Sequence, residues 1–299
     1  MPPINLRKAT KMPLIGPVAR VALKFFANRE AGNISAHFAK YLRPRYAGTQ
    51  ELRETSFRMR HQVYCEELKF EPERASGMET DDFDPHSHHC VIEHKPSGNF
   101  AGTVRIVYSG SGNELLPIEK YCAEAISLAE HAPWDFPRGE ICEISRLAVP
   151  DQFRRRQMDK FKGAATGVIN EDSYSEAELR CFPFIAVGLY MAAASIALEQ
   201  GINHCFVMME PRLARSLRLV GIPFKQIGPV VDYHGERAPY YINRQVLLDS
   251  LPPGFKKLLK YVKDEISSQL GNAPINASKD PKSKASNVGK ATSSVNFAI

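Results

Sequence analysis

Gly139-Glu140-Ile141-Cys142-Glu143-Ile144-Ser145-Arg146-Leu147-Ala148-Val149-Pro150 is the stretch whose reading decides the fold. Its apolar residues read as a strand stopped by Pro150, yet the strand holds a carboxylate, a hydroxyl and a guanidinium. Burying Glu143 or Arg146 is costly unless the charge is paired or meets a ligand. Side chains three apart on a regular strand face opposite sides, so Glu143 and Arg146 can serve one cleft only if the strand is bulged or frays there. The alternative is a structural ion pair at a sheet edge.

Upstream, Thr49 can cap a helix that has Glu51 in its first turn and runs to about Leu68. Arg60 falls inside its apolar stripe of Phe57, Tyr64 and Leu68 and therefore calls for carboxylates, which follow in Glu79-Thr80-Asp81-Asp82-Phe83-Asp84. His86, His88 and His89 beside these acids match no common zinc or iron spacing, so no metal is expected. Residues 89–95 and 100–108 read as a hairpin around Pro96-Ser97-Gly98-Asn99, and its second strand again sets an arginine, Arg105, among β-formers.

Downstream, 18 uncharged residues separate Arg180 from Glu199. Pro183, the alanines and a Gly201 cap make this a buried helix rather than a membrane span. A strand His204–Met209, a helix from about Pro211 to Val220, strands at 224–233 and 237–243 joined through His234-Gly235, and a helix over 254–270 complete the pattern. The order is an α/β arrangement of helices around a mixed sheet. P-loop, G-x-G-x-x-G and G-x-S-x-G motifs are missing.

A chain of 299 residues can bury one large core. Its net charge of +6 is uneven: residues 1–50 hold nine Lys/Arg against one Glu, the tail 271–299 holds four Lys and one Asp, and the remainder is net negative by 5. Basic ends on an acidic body argue against nucleic-acid binding. Residues 18–26 form a short basic amphipathic pattern, suited to packing on the body or to lying on an anionic membrane surface. Six scattered cysteines without a C-x-x-C pair fit reduced thiols in cytoplasm, and the N-terminus lacks the apolar core of a signal peptide. The expected units are a basic N-terminal segment 1–44, a catalytic domain 45–253, a C-terminal helix 254–270 and a polar tail 271–299.

The words Arg60–Leu68, Glu79–Asp84, Gly102-Thr103-Val104-Arg105, Glu143-Ile144-Ser145-Arg146-Leu147 and Tyr233-His234-Gly235-Glu236-Arg237-Ala238-Pro239-Tyr240, in this order, resemble the acyl-homoserine-lactone synthases and long-chain N-acyl amino acid synthases of the GNAT superfamily. They are most similar to the acyltransferases associated with exosortase/PEP-CTERM systems. The resemblance implies a single GNAT-like domain with extra terminal segments. It implies transfer of a fatty acyl group from a phosphopantetheine thioester to an amino acid, with no tightly bound cofactor. Arg60, Asp81, Asp84, Arg105, Glu143 and Arg146 match the family's polar site residues, and Tyr64 and Phe70 its aromatic ones. Phe70 stands where lactone synthases usually carry Trp, which weighs against lactone synthesis.

By the same resemblance Glu143 is the expected base, with Arg146 beside it. Arg60, Arg105 and Arg146 would bind the acceptor's carboxylate, Asp81 and Asp84 its ammonium, and N–H groups near Ala148-Val149-Pro150 the oxyanion. The pyrophosphate-binding turn of acetyl-CoA-dependent relatives is replaced by Arg154-Arg155-Arg156, which with Val149 would receive an acidic acyl carrier protein in place of acyl-CoA. A lactone synthase, a CoA-dependent enzyme and a non-catalytic carrier-protein- or membrane-binding scaffold are the alternatives.

Overall fold

A computed structural model describes residues 35–109, 114–127, 130–153, 185–233 and 235–270. The amphipathic pattern at 18–26, the tail 271–299 and Arg154-Arg155-Arg156 lie outside the described residues. The architecture is a mixed eight-stranded sheet flanked by helices. Strands β1 (Leu42–Tyr46), β2 (Ser87–His94), β3 (Phe100–Tyr108) and β4 (Ile141–Ala148) run antiparallel in sequence order. β5 (His204–Met209) then joins β4 in parallel, and β8 (Glu236–Asn243) follows β5 antiparallel. The expected hairpin is there, turned by Gly98 at φ +70 and closed by His94 N–H donating to the Asn99 carbonyl at 2.7 Å.

Helix α1 (Gln50–Arg60) begins at Thr49, whose hydroxyl accepts from Leu52 N–H at 3.3 Å. Its continuation, His61–Glu67, is a π-helix rather than the α-helix expected to Leu68. Paired side chains stand five apart there, His61 with Glu66 and Gln62 with Glu67. The buried face is Ser56, Met59, Arg60 and Val63, so Arg60 does lie inward, while Phe57 is only partly covered. Ser56 Oγ shares a 2.6 Å hydrogen bond with Thr103 Oγ1, fixing α1 over the face of β3 that carries Arg105.

The opposite face is covered by α2 (Ile185–Glu199) and α5 (Pro253–Leu270). Leu42, Ile92, Val104, Ile106 and Ile144 meet Leu189, Ile196, Leu258 and Val262 in the main core. Gly188 permits this contact, because a Cβ there would stand 2.4 Å from the Phe38 ring. α2 is buried on nearly all sides, as its uncharged run requires, and no helix among the described residues is long and apolar enough to cross a membrane.

Helix α3 (Pro211–Leu219) is where expected. The strand expected at 224–233 is instead two short ones, β6 (Lys225–Gln226) and β7 (Val231–Asp232), both paired with β8. Pro229 cannot donate to a ladder, and a Cβ at Gly228 would stand 2.0 Å from the Ala125 carbonyl oxygen. Helix α4 (Arg244–Ser250) was legible in its cap, Asn243, whose side chain accepts from Val246 N–H at 2.8 Å, but was not anticipated.

Candidate active site

Of the two irregularities that the sequence allowed, the bulge is present. Thr103 pairs with Ala148 but Arg105 with Ser145, so β4 carries one extra residue there, and Arg146 takes a positive φ of 49°. Without that residue Arg146 would follow Cys142 and Ile144 into the main core. With it, Glu143, Ser145 and Arg146 all open onto the face of β3 that bears Arg105.

Three arginines and four acids interlock on this face. Arg60 donates to Glu79 at 2.5 Å and to both oxygens of Asp84 at 2.6 and 3.2 Å. Arg105 Nη1 reaches Asp81 and, at 2.9 Å, Asp84, while its Nε donates to Ser145 Oγ at 3.0 Å. Arg146 reaches Glu71, Glu79 and Asp81 at 3.2–3.3 Å. Burial alone would raise Asp84, but Arg60 and Arg105 hold it well below the usual carboxylate range, and Glu79 and Asp81 are lowered by their arginines in the same way. Arg60 is fully buried with every guanidinium nitrogen engaged, and neither it nor Asp84 lines the clefts formed by Glu143, Arg146 and Tyr64. Asp84 also pairs with Arg105 and Glu79 with Arg146, so Arg60 is tied to both of those arginines through shared acids.

His89 and His88 sit beside this network, and burial pushes them down to about 3 and 4, so both are neutral. His88 accepts from or donates to Tyr46 OH at 2.7 Å and stacks on Tyr108 with ring centroids 4.8 Å apart, which is a packing role.

Glu143 has a different setting. Its side chain is nearly buried, Ile118 N–H donates to its Oε2 at 2.6 Å, and no guanidinium is in hydrogen-bond contact with it among the described residues. Burial outweighs that hydrogen bond and the more distant Arg105, raising the carboxyl to about 8. It lines a cleft of about 560 Å³ together with Asp81, Arg105, Ser145, Arg146 and Tyr233.

A second cleft, about 610 Å³, adjoins the first. β4 and β5 pair only at Ile141–His204, Cys142–Cys205 and Glu143–Phe206, and beyond Glu143 the two strands diverge. The gap is bordered by Ile144–Leu147 on one side and Val207–Glu210 on the other. Tyr64 spans both clefts, donating its hydroxyl to the Leu147 carbonyl at 2.7 Å. Behind Ile144 and Tyr190 lies a third, apolar cavity of about 520 Å³ between α2 and β5, lined by Met191, Ala194, Ile222 and Phe224 among others. Val149, expected at the donor, has its side chain 4% exposed in the main core and borders none of these three cavities.

Residues 59–162 match the family model described as acetyltransferase (GNAT) domain. These residues therefore carry the pattern of a GNAT-type acetyltransferase domain. No curated protein matches the sequence. Solved structures similar to it include the AHL synthase LasI (14% identity over 71% of this chain and 96% of that one, TM-score 0.48). FeeM, an N-acyl amino acid synthase from uncultured soil microbes, shares 18% identity over 70% and 94% at TM-score 0.46. TofI, in a complex with an inhibitor and MTA, shares 16% over 72% and 99% at 0.49.

Within this GNAT-type domain the anticipated Glu143, Arg146, Arg105, Asp81, Tyr64 and Phe70 converge on one cleft. Sequence reasoning did not single out Glu71, Ser145, Tyr233 or Arg237. Ser145 lay inside the quoted strand, and Tyr233 and Arg237 inside the last quoted word, but only β8 pairing beside β5 brings them to the cleft.

Proposed function

We propose that this acyltransferase moves a fatty acyl group from a phosphopantetheine thioester to the amino group of a free amino acid. The observation that carries the reading is the Glu143 carboxyl, raised to about 8, at the floor of a cleft that opens into the gap between β4 and β5. An amino acid arrives as an ammonium, and a base of this strength removes its proton near neutral pH. The free amine then attacks the thioester carbon and the C–N bond forms; as the tetrahedral intermediate collapses the C–S bond breaks, the nitrogen's second surplus proton passes to the departing sulfur, which leaves as the thiol, and the first proton stays on Glu143 until it is lost to solvent. The thioester arm fits the gap between the strands, whose facing edges are not paired with each other, and the apolar cavity behind Tyr190 suits the acyl chain.

The donor is proposed to be acyl carrier protein, steered by Arg154, Arg155 and Arg156. Lipid extracts of expressing cells, analysed by mass spectrometry, should contain N-acyl amino acids. Lactones or no new lipid would overturn the reading. With purified protein, charge reversal Arg155→Glu should raise KM for acyl carrier protein more than for acyl-CoA, most strongly at low salt, and equal effects on both donors would remove the carrier protein from the proposal.

A further inference from the structure

One cation at the site has no part in the ion-pair network. Arg237 borders both the Glu143 cleft and the gap between β4 and β5. Its guanidinium carbon stands 5.9 Å from the centre of the Phe70 ring. Its buried Nε has no hydrogen-bond partner, and no carboxylate among the described residues pairs with it. Arg60, Arg105 and Arg146, by contrast, are all engaged with Glu71, Glu79, Asp81 and Asp84. Four carboxylates against three guanidiniums leave that network with one negative charge, and two of its acids, Glu71 and Asp81, line the cleft. The cleft therefore offers a negative wall and, separately, an uncompensated guanidinium.

A partly buried guanidinium with no carboxylate partner among the described residues is stabilised by an anion from outside, and its planar fork matches a carboxylate. A molecule carrying an ammonium and a carboxylate two bonds apart answers both features at once. We infer that Arg237, and not the three networked arginines, binds the acceptor's carboxylate, so that the acceptor class is free α-amino acids to the exclusion of simple amines, amino-acid amides and esters. This rests on the reading of the site as an N-acyltransferase. The zwitterion's ammonium lies toward Asp81 and Glu71, which brings its nitrogen to the side of the cleft that Glu143 lines.

The test uses the full chain and the variants Arg237→Gln and Arg237→Lys. Each of the twenty common L-amino acids and its carboxamide is offered with lauroyl-CoA and with lauroyl-carrier protein, and the amide product is measured. In parallel, calorimetry compares binding of N-dodecanoylglycine with N-dodecanoylglycinamide. Wild type should prefer acid over amide in both assays. Arg237→Gln should raise KM for the amino acid about 10- to 100-fold, leave the donor KM unchanged and abolish the acid preference. Arg237→Lys should restore part of it. Since Arg237 has no ion-pair partner among the described residues and loses only its contact with the Phe70 ring, the Gln variant should unfold close to the wild-type temperature, which separates lost binding from lost folding.

Acid preference that persists in Arg237→Gln, or its absence in wild-type binding, overturns the inference. So does a rise in donor KM alone, which would give Arg237 to the phosphate of the donor. Carboxylate-selective, Arg237-dependent binding without turnover on any acceptor would support the inference while refuting the proposed transfer.

Discussion

Glu143 is held by two opposed influences, burial that favours its neutral form and one backbone N–H that favours its charge, and burial prevails. If Glu143 is the base, kcat/KM rises with pH through an apparent pKa near 8. Glu143→Gln should then lose roughly 10²–10⁴-fold in rate and flatten the profile. Full activity in that variant would return Glu143 to a structural role. Stability carries the same signature with a fixed sign. A carboxyl raised from 4.5 to about 8 on folding favours the folded state at low pH, and this contribution is lost as pH rises between those values. The Gln variant, measured by chemical denaturation, should therefore gain on wild type across that window by up to ~1.4 kcal/mol per pH unit. The place of Glu143 at a cleft was legible in the sequence because a carboxylate in a strand needs an explanation. Arg237 was not, because nothing in its own strand shows that it lacks a partner.

At the scale of the element, the bulge in β4 decides which side of the sheet Arg146 occupies. A non-glycine residue at φ +49 is strained, and glycine adopts that conformation without penalty. Arg146→Gly should hence keep the bulge and the register, lose the guanidinium that faces Glu71, Glu79 and Asp81, and fall steeply in activity with a native circular-dichroism spectrum. A variant with wild-type turnover would exclude Arg146 from catalysis. The bulge was one of two irregularities the sequence allowed: two charges three apart can share a cleft only if the strand is bulged or frays, and the pairing of Thr103 with Ala148 and Arg105 with Ser145 selects the bulge. The π-turn after Arg60 was not, since the apolar stripe up to Leu68 fits an α-helix equally well and only the i,i+5 pairs of the folded chain distinguish the two. The split of the last strand could have been read from Gly228-Pro229, a pair that interrupts a ladder.

Across the whole molecule, the network centred on Arg60 ties α1, the acidic loop, β3 and β4 into one unit. Arg60→Ala leaves buried Glu79 only Arg146 and part-buried Asp84 only Arg105 as guanidinium partners among the described residues, and should cost on the order of 3 kcal/mol, read by thermal or denaturant unfolding. Glu79, Asp81 and Asp84 are all lowered on folding, so their stabilisation is present above the ordinary carboxylate range and is lost as pH falls below it. Acid unfolding of Arg60→Ala should accordingly begin at higher pH than in wild type, and identical acid transitions would show the network to be energetically neutral. From its sequence alone this protein's class of fold, its element order, the helix cap at Thr49, the need for an irregularity in β4 and the charged residues of the cleft were determined, because periodicity, capping and the cost of burying charge are local properties. The divergence of β4 from β5, the sealing of Arg60 behind its acids, the burial of Val149 and the isolation of Arg237 were decided by tertiary structure. Each of these depends on which distant segment is packed beside which, and no local pattern encodes that.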